Sequence, residues 1–403
     1  MPCLGRLGNP CLCVGMPLVN PLQMVWARET AGLTRERAAA ALAIQEERLA
    51  ELEESGEPSG SQLAAMVKLY RRPLLVFYLA EPPAPSKTGE DFRSSATTSR
   101  DPDMEARLVA LLRDIRTRQL LIRNVLIEDE EAVPIDFIGS LGRNVPRAAL
   151  LAAMREILDT PISELRAQRT PEDTFKILRR SLEDKGIFVL LAGDLGSSHS
   201  AIDNVTFRGF AIADKWAPFI VINDKDAKTA WSFTLLHELA HLLTGAGGVS
   251  GSNSGADVIE RLCNDVAGEF LLPNAELDKL GELIAGLNNP QEITPLVIQF
   301  ANERRVSPDL VAYRSLRGRL LDQPTWIEVQ RLLSERLQRL RQERIEQPAR
   351  SGGANYYIVR RHRLGNLVSF TRRALSTGAL SPTKAALVLG VKPRNVRTLV
   401  EAG

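Results

Sequence analysis

Between Trp231 and Leu243 apolar side chains fill most positions (Trp231, Phe233, Leu235, Leu236, Leu239, Ala240, Leu242, Leu243), and the run stops at Gly245. A near-continuous apolar stretch of helix-forming residues closed by glycine predicts a buried helix. After the glycine- and serine-rich GAGGVSGSNSG, the residues Ile259, Leu262, Val266 and Leu271 of VIERLCNDVAGEFLLP (258–273) predict a second helix with one face toward the core. Upstream the pattern shortens into strands: GIFVLLAG, then two strands and a turn within FRGFAIADKWAPFIVINDKDAKTAWSF (207–233). These three runs predict a small, mainly antiparallel sheet beside the first helix, with an edge that could align an extended peptide by main-chain pairing.

Elsewhere the chain reads as helical. Residues 24–83 hold short helical segments broken at Gly32, Gly56 and Pro58, with Thr34 as a helix N-cap. Residues 84–104 form a polar connector, 105–180 continue as helices, and 326–347 predict an amphipathic helix ending before Pro348 and the flexible ARSGGAN. LSPTKAALVLGVKPRNVRTLV reads as helix, glycine turn, helix, with Ser381 or Thr383 as caps and Val391, Val396 and Leu399 facing inward. The expected fold class is α+β, mainly α. Its expected divisions are a disordered leader (1–23, with Met16 as a candidate start), an N-terminal helical bundle (24–83), a linker (84–104), a central domain with a small antiparallel sheet (105–325), an amphipathic helix (326–347) and a basic C-terminal helical domain (350–403).

The buried helix carries chemistry. The chain has only four histidines, and two of them, His237 and His241, lie in TLLHELAHLLTG (234–245). Positions i and i+4 stack on one helix face about 6 Å apart along the axis, so both imidazoles can hold one cation. Glu238 points about 100° away and is free for proton transfer. A catalytic zinc ordinarily takes three protein ligands and leaves one position for water. Glu260, Asp265 and Glu269 on the second helix are candidates for the third, and spacing alone does not separate Glu260 from Glu269.

The His-Glu-x-x-His helix followed by Glu260, Cys263, Asn264, Leu271, Leu272 and Pro273 resembles the ImmA/IrrE family of zinc metallopeptidases, and 207–233 resembles that family's approach to the zinc helix. The resemblance implies a zincin-like peptidase domain binding Zn2+ through His237, His241 and Glu260, with Glu238 as general base. Two departures are Val266, where relatives often carry an aromatic residue, and Gly268, which should weaken the second helix. Residues 24–83, closing in LYRRPLLVFYLAEPP, resemble an XRE-type helix-turn-helix with its recognition helix near Gln45 to Glu54. The C-terminal segment resembles the small helical segment of longer relatives. The implied activity is cleavage of an XRE-class transcriptional repressor or the product of an adjacent gene. The alternative is a transcriptional regulator or antitoxin that uses the peptidase domain as a sensor or partner-binding scaffold. Asn223, His199 and Tyr313 are polar candidates for stabilising an oxyanion, but none is assigned. The Cys263 thiol could ligate zinc, although a small buried thiol is the ordinary reading.

Composition sets the limits. The 403 residues are 44% apolar with a net charge of +2 and no apolar run long enough to span a bilayer, which predicts a soluble chain. Four cysteines, three of them among the first thirteen residues, make no disulfide framework in a chain of this length, so a cytoplasmic location is expected. Charge is unevenly distributed. Residues 24–81 hold seven basic and nine acidic groups, and the expected recognition helix carries Glu46, Glu47, Glu51, Glu53 and Glu54 against Arg48. Residues 350–403 hold ten basic groups against Glu401 alone. Phosphate contacts dominate affinity for DNA, so the C-terminal segment is the better DNA candidate.

Overall fold

The computed structural model describes residues 19–83, 101–129, 133–245, 249–250, 258–346 and 355–401. The leader through residue 18, most of the 84–104 connector and the stretch around Pro348 lie outside the described residues. The chain forms two compact units, one of the described residues through 83 together with 101–110, the other of those from 111 onward.

The first unit contains helices α1 (Pro21–Glu29), α2 (Arg35–Leu42), α3 (Glu46–Ser55) and α4 (Gly60–Tyr70) and a 3-10 turn, Leu74–Tyr78. Helix α1 starts inside the stretch expected to be a leader. Asn20 caps it, Pro21 occupies its first turn, and Val19 is buried beneath it. Thr34 caps α2 as expected, and Ala43, in the left-handed conformation, turns the chain sharply into α3. Met24, Ala27, Leu49, Leu52, Met66 and Phe77 form the core.

Glu53, one of the five acids of α3, faces inward. Its carboxylate bridges Arg28 at 2.6 Å and Arg35 at 3.1 Å, and the Glu53 side chain is only 2% exposed. Glu53→Ala would strand the buried Arg28 guanidinium. It is expected to destabilise this unit by about 3–5 kcal/mol in chemical denaturation, and a loss below about 1 kcal/mol would show that water reaches the pair.

The second unit begins within α5 (Pro102–Glu128) and continues through α6 (Arg147–Leu158), α7 (Ile162–Arg166) and α8 (Pro171–Asp184). Strands β1 (Phe188–Leu191), β2 (Gly209–Ile212) and β3 (Phe219–Ile222) lead into α9 (Lys228–Thr244), and β4 (Val249–Ser250) precedes α10 (Val258–Leu271). Helices α11 (Asn274–Ile284), α12 (Pro290–Arg304), α13 (Pro308–Arg317) and α14 (Gln323–Glu346) complete the main body. Last come α15 (Tyr356–Leu364), α16 (Leu367–Ser376), α17 (Pro382–Leu389) and α18 (Pro393–Glu401).

The sheet order is β1-β3-β2-β4. Strand β2 pairs antiparallel with β3 and β4, but β1 runs parallel to β3 in the register Phe188↔Phe219 to Leu191↔Ile222. The sheet is therefore mainly antiparallel, as expected, with β1–β3 as its one parallel pairing among the described residues. The excursion of residues 192–208 returns the chain so that the β2–β3 hairpin lays its second strand, not its first, beside β1. Every residue of β1, β2 and β3 is buried, which explains their unbroken apolar runs.

One apolar core runs from α6 and α8 through the sheet and α9 to α12 and α13, and it takes in Val329 and Leu333 of α14. Among the described residues no helix is long and apolar enough to cross a membrane.

The C-terminal helices are built into this unit. Phe370 packs edge-on against Phe188 of β1, with ring centroids 5.6 Å apart. The buried Arg179 of α8 donates to the carbonyl oxygens of Val189 and His362, and the Asn366 backbone N–H donates to Glu183 at 3.0 Å. Arg363 pairs with Asp194 at 3.1 Å and with Asp224.

Candidate metal centre

Helix α9 is buried along nearly its whole length, as its composition requires. Gly245, at φ 67°, ends it by donating to the last turn. The chain at 139–141 covers the remaining end: the N–H groups of Gly139 and Leu141 donate to the carbonyls of Leu242 and Leu243 at 2.8 and 3.1 Å. The turn carrying His241 is thus held by backbone bonds from a separate segment.

Helix α10 packs along α9 through Ile259, Cys263, Val266 and Ala267. Gly268, expected to weaken this helix, has a packing role. A Cβ there would stand 2.9 Å from Cδ of Arg314 on α13 and 3.4 Å from Leu310, so a larger residue would force the buried Arg314 side chain to shift.

This packing brings three donors together. His237 Nε2 lies 3.0 Å from His241 Nε2, and the Glu260 carboxylate lies 3.3 Å from the first and 3.1 Å from the second. The other candidate acids are held elsewhere: Asp265 accepts from Tyr313 at 2.6 Å and from Arg317 at 2.9 Å, and Glu269 pairs with Arg147. Of the three acids, Glu260 is the one that lies together with the two imidazoles. Of the polar candidates for an oxyanion, Tyr313 is committed to Asp265. Asn223 is buried and donates to the carbonyls of Ile202, Asp203 and Phe207, and His199 lies exposed in a short turn.

The cluster suits a divalent cation. Each imidazole Nε2 carries at most one hydrogen, so the three mutual contacts cannot all be hydrogen bonds. One cation at their centre satisfies all three. Ligand atoms about 2.0–2.2 Å from a tetrahedral zinc stand about 3.3 Å apart or slightly more, within a few tenths of an ångström of the separations found.

The charge balance agrees. Burial raises the Glu260 pKa, but the two imidazoles outweigh it and hold the carboxyl well below the usual range. Burial lowers the pKa of His237, against the pull of Glu260. Burial acts the same way on His241, but hydrogen bonding to Cys263 and Glu260 prevails and holds it well above its ordinary value.

Glu238 is fully buried, turned toward the sheet. A Cβ at Gly209 of β2 would lie 2.9 Å from Glu238 Oε1 and 2.6 Å from Thr234 Cγ2. The missing side chain of Gly209 makes room for the Glu238 carboxylate. Gly209→Ala is expected to cost about 1–3 kcal/mol and to displace that carboxylate, which thermal denaturation and cleavage assays together can check; an unchanged variant in both would remove the steric argument. Sequence reading passed over Gly209 and treated Asn264 only as part of a motif. Asn264 lies beside His237 and Cys263 beside His241. Their spacing of three and four residues from Glu260 was the available signal.

The His/His/Glu cluster on two packed helices is a candidate metal site, and the family match of this region supports a metallopeptidase-type function. Residues 183–316 match the Peptidase_M78 family model, the IrrE N-terminal-like domain. No curated protein and no solved structure matches the chain.

Proposed function

We propose that the chain is a zinc-dependent endopeptidase that cleaves a regulatory protein, an XRE-class repressor or the product of an adjacent gene, to control gene expression. The observation that carries this reading is the convergence of His237, His241 and Glu260, with Glu238 following His237 on the same helix. Two imidazoles and a carboxylate form the ligand set of hydrolytic zinc sites, and three ligands leave a position open for solvent. Bound there, zinc would lower the pKa of a water toward neutrality and polarise the scissile carbonyl. Glu238 would take the proton of the attacking water and pass it to the departing amine. Strand β2 lies against α9, and β4, its antiparallel partner, forms the sheet edge on that side, along which an extended substrate would align. Residues 24–83 would serve as the XRE-type module that engages the repressor or its operator, raising the effective concentration of substrate.

The complete burial of Glu238 also fits a second reading, in which the domain is a sensor or partner-binding scaffold of a regulator or antitoxin. Purified full-length protein should be incubated with the products of neighbouring genes, with and without chelator, and followed by intact mass. Chelator-sensitive cleavage supports the peptidase. Stable complexes without cleavage support the scaffold.

A further inference from the structure

We propose that α16, α17 and α18 form a duplex-DNA reader, with α18 lying in the major groove. This inference does not rest on the peptidase reading. The three helices pack on one another around Leu367, Phe370, Ala385, Leu389, Val396 and Leu399. Ser381 caps α17, and Gly390, at φ 59°, makes the turn into α18. Two short helices joined by a glycine turn and steadied by a third have the form that presents its last helix to a groove.

The structure sorts the basic residues of this segment by use. Arg360 donates to the carbonyls of Leu389 and Gly390, Arg361 to those of Thr398 and Leu399, and Arg363 pairs with Asp194 and Asp224. These three arginines are spent inside the fold. Lys384, Lys392 and Arg394 are exposed and form no ion pair among the described residues, and Arg397 pairs only with Glu401 on the same exposed face. The apolar side of α18 (Val396, Leu399, Val400) faces the core, so Lys392, Arg394, Arg397 and Thr398 face solvent together.

A regular anionic partner is the occupant this face fits: lysines at the ends of α17 and α18 for phosphates, Arg394 and Arg397 for base edges. The acidic exposed face of α3, with Glu46, Glu47 and Glu54, makes the first unit the weaker candidate. Because α15 and α16 are tied to α8 and β1, such a reader would fix the peptidase body on the duplex.

The test compares full-length wild type with Lys384→Ala/Lys392→Ala/Arg394→Ala by fluorescence anisotropy on a 30-base-pair duplex, on its single strand and on heparin, over a salt series from 50 to 200 mM. Each lost phosphate contact lowers the slope of log K against log salt by about 0.9. The variant is expected to bind duplex at least about tenfold more weakly at the lowest salt and with a shallower slope, while its circular dichroism and zinc content match wild type. Equal duplex binding by both proteins would place the contact elsewhere, the first unit included. Equal wild-type affinity for single strand or heparin would leave a generic polyanion surface. No duplex binding at 50 mM salt would end the proposal.

Discussion

Glu238→Gln is expected to bind zinc at the wild-type level and to cleave at least about 10²–10⁴-fold more slowly. Glutamine matches glutamate in volume, which matters at a fully buried position pressed against Gly209. It does not touch the His237, His241 and Glu260 donors, so metal content measured by elemental mass spectrometry should hold. What it cannot do is accept a proton. Single-turnover cleavage of an identified substrate reads that step directly. A rate equal to wild type would remove Glu238 from the chemistry, and an unchanged phenotype in cells would favour the scaffold.

Glu260→Ala is expected to weaken zinc binding by more than about 100-fold in chelator competition and to abolish cleavage, because it leaves two imidazoles to hold the ion alone. The same helix supplies its own controls. Asp265→Asn loosens the contacts with Tyr313 and Arg317, and Glu269→Gln loosens the pair with Arg147. Both should lose stability yet keep one zinc per chain. Zinc retained in Glu260→Ala but lost in Glu269→Gln would move the third ligand about two and a half helical turns along α10.

The parts that were legible in the sequence are those whose cause is local. The apolar run ending at Gly245 wrote α9, and the i, i+4 histidines placed both imidazoles on one face whatever surrounded them. The continuous apolar runs of β1, β2 and β3 announced buried strands, but nothing in residues 192–208 signalled that β1 would run parallel to its neighbour. Long-range polar partners were equally hidden. Charge counting along α3 could not show that Glu53 is spent on Arg28 and Arg35, and counting the C-terminal segment as uniformly basic overlooked that Arg360, Arg361 and Arg363 are consumed inside the fold. The partners of the other two acids of α10, Arg147 for Glu269 and Tyr313 and Arg317 for Asp265, come from α6 and α13 and were hidden as well. Gly209 was hidden too, since a glycine in a strand gives no sign of which side chain fills the space above it.

X-ray absorption at the zinc edge of the loaded full-length protein tests the ligand assignment most directly. One zinc per chain, with only nitrogen and oxygen neighbours at about 2.0–2.2 Å and the multiple-scattering pattern of two imidazoles, is the expected spectrum. A sulfur neighbour near about 2.3 Å would put Cys263 in place of Glu260, and a spectrum without two imidazoles would contradict the proposed site altogether.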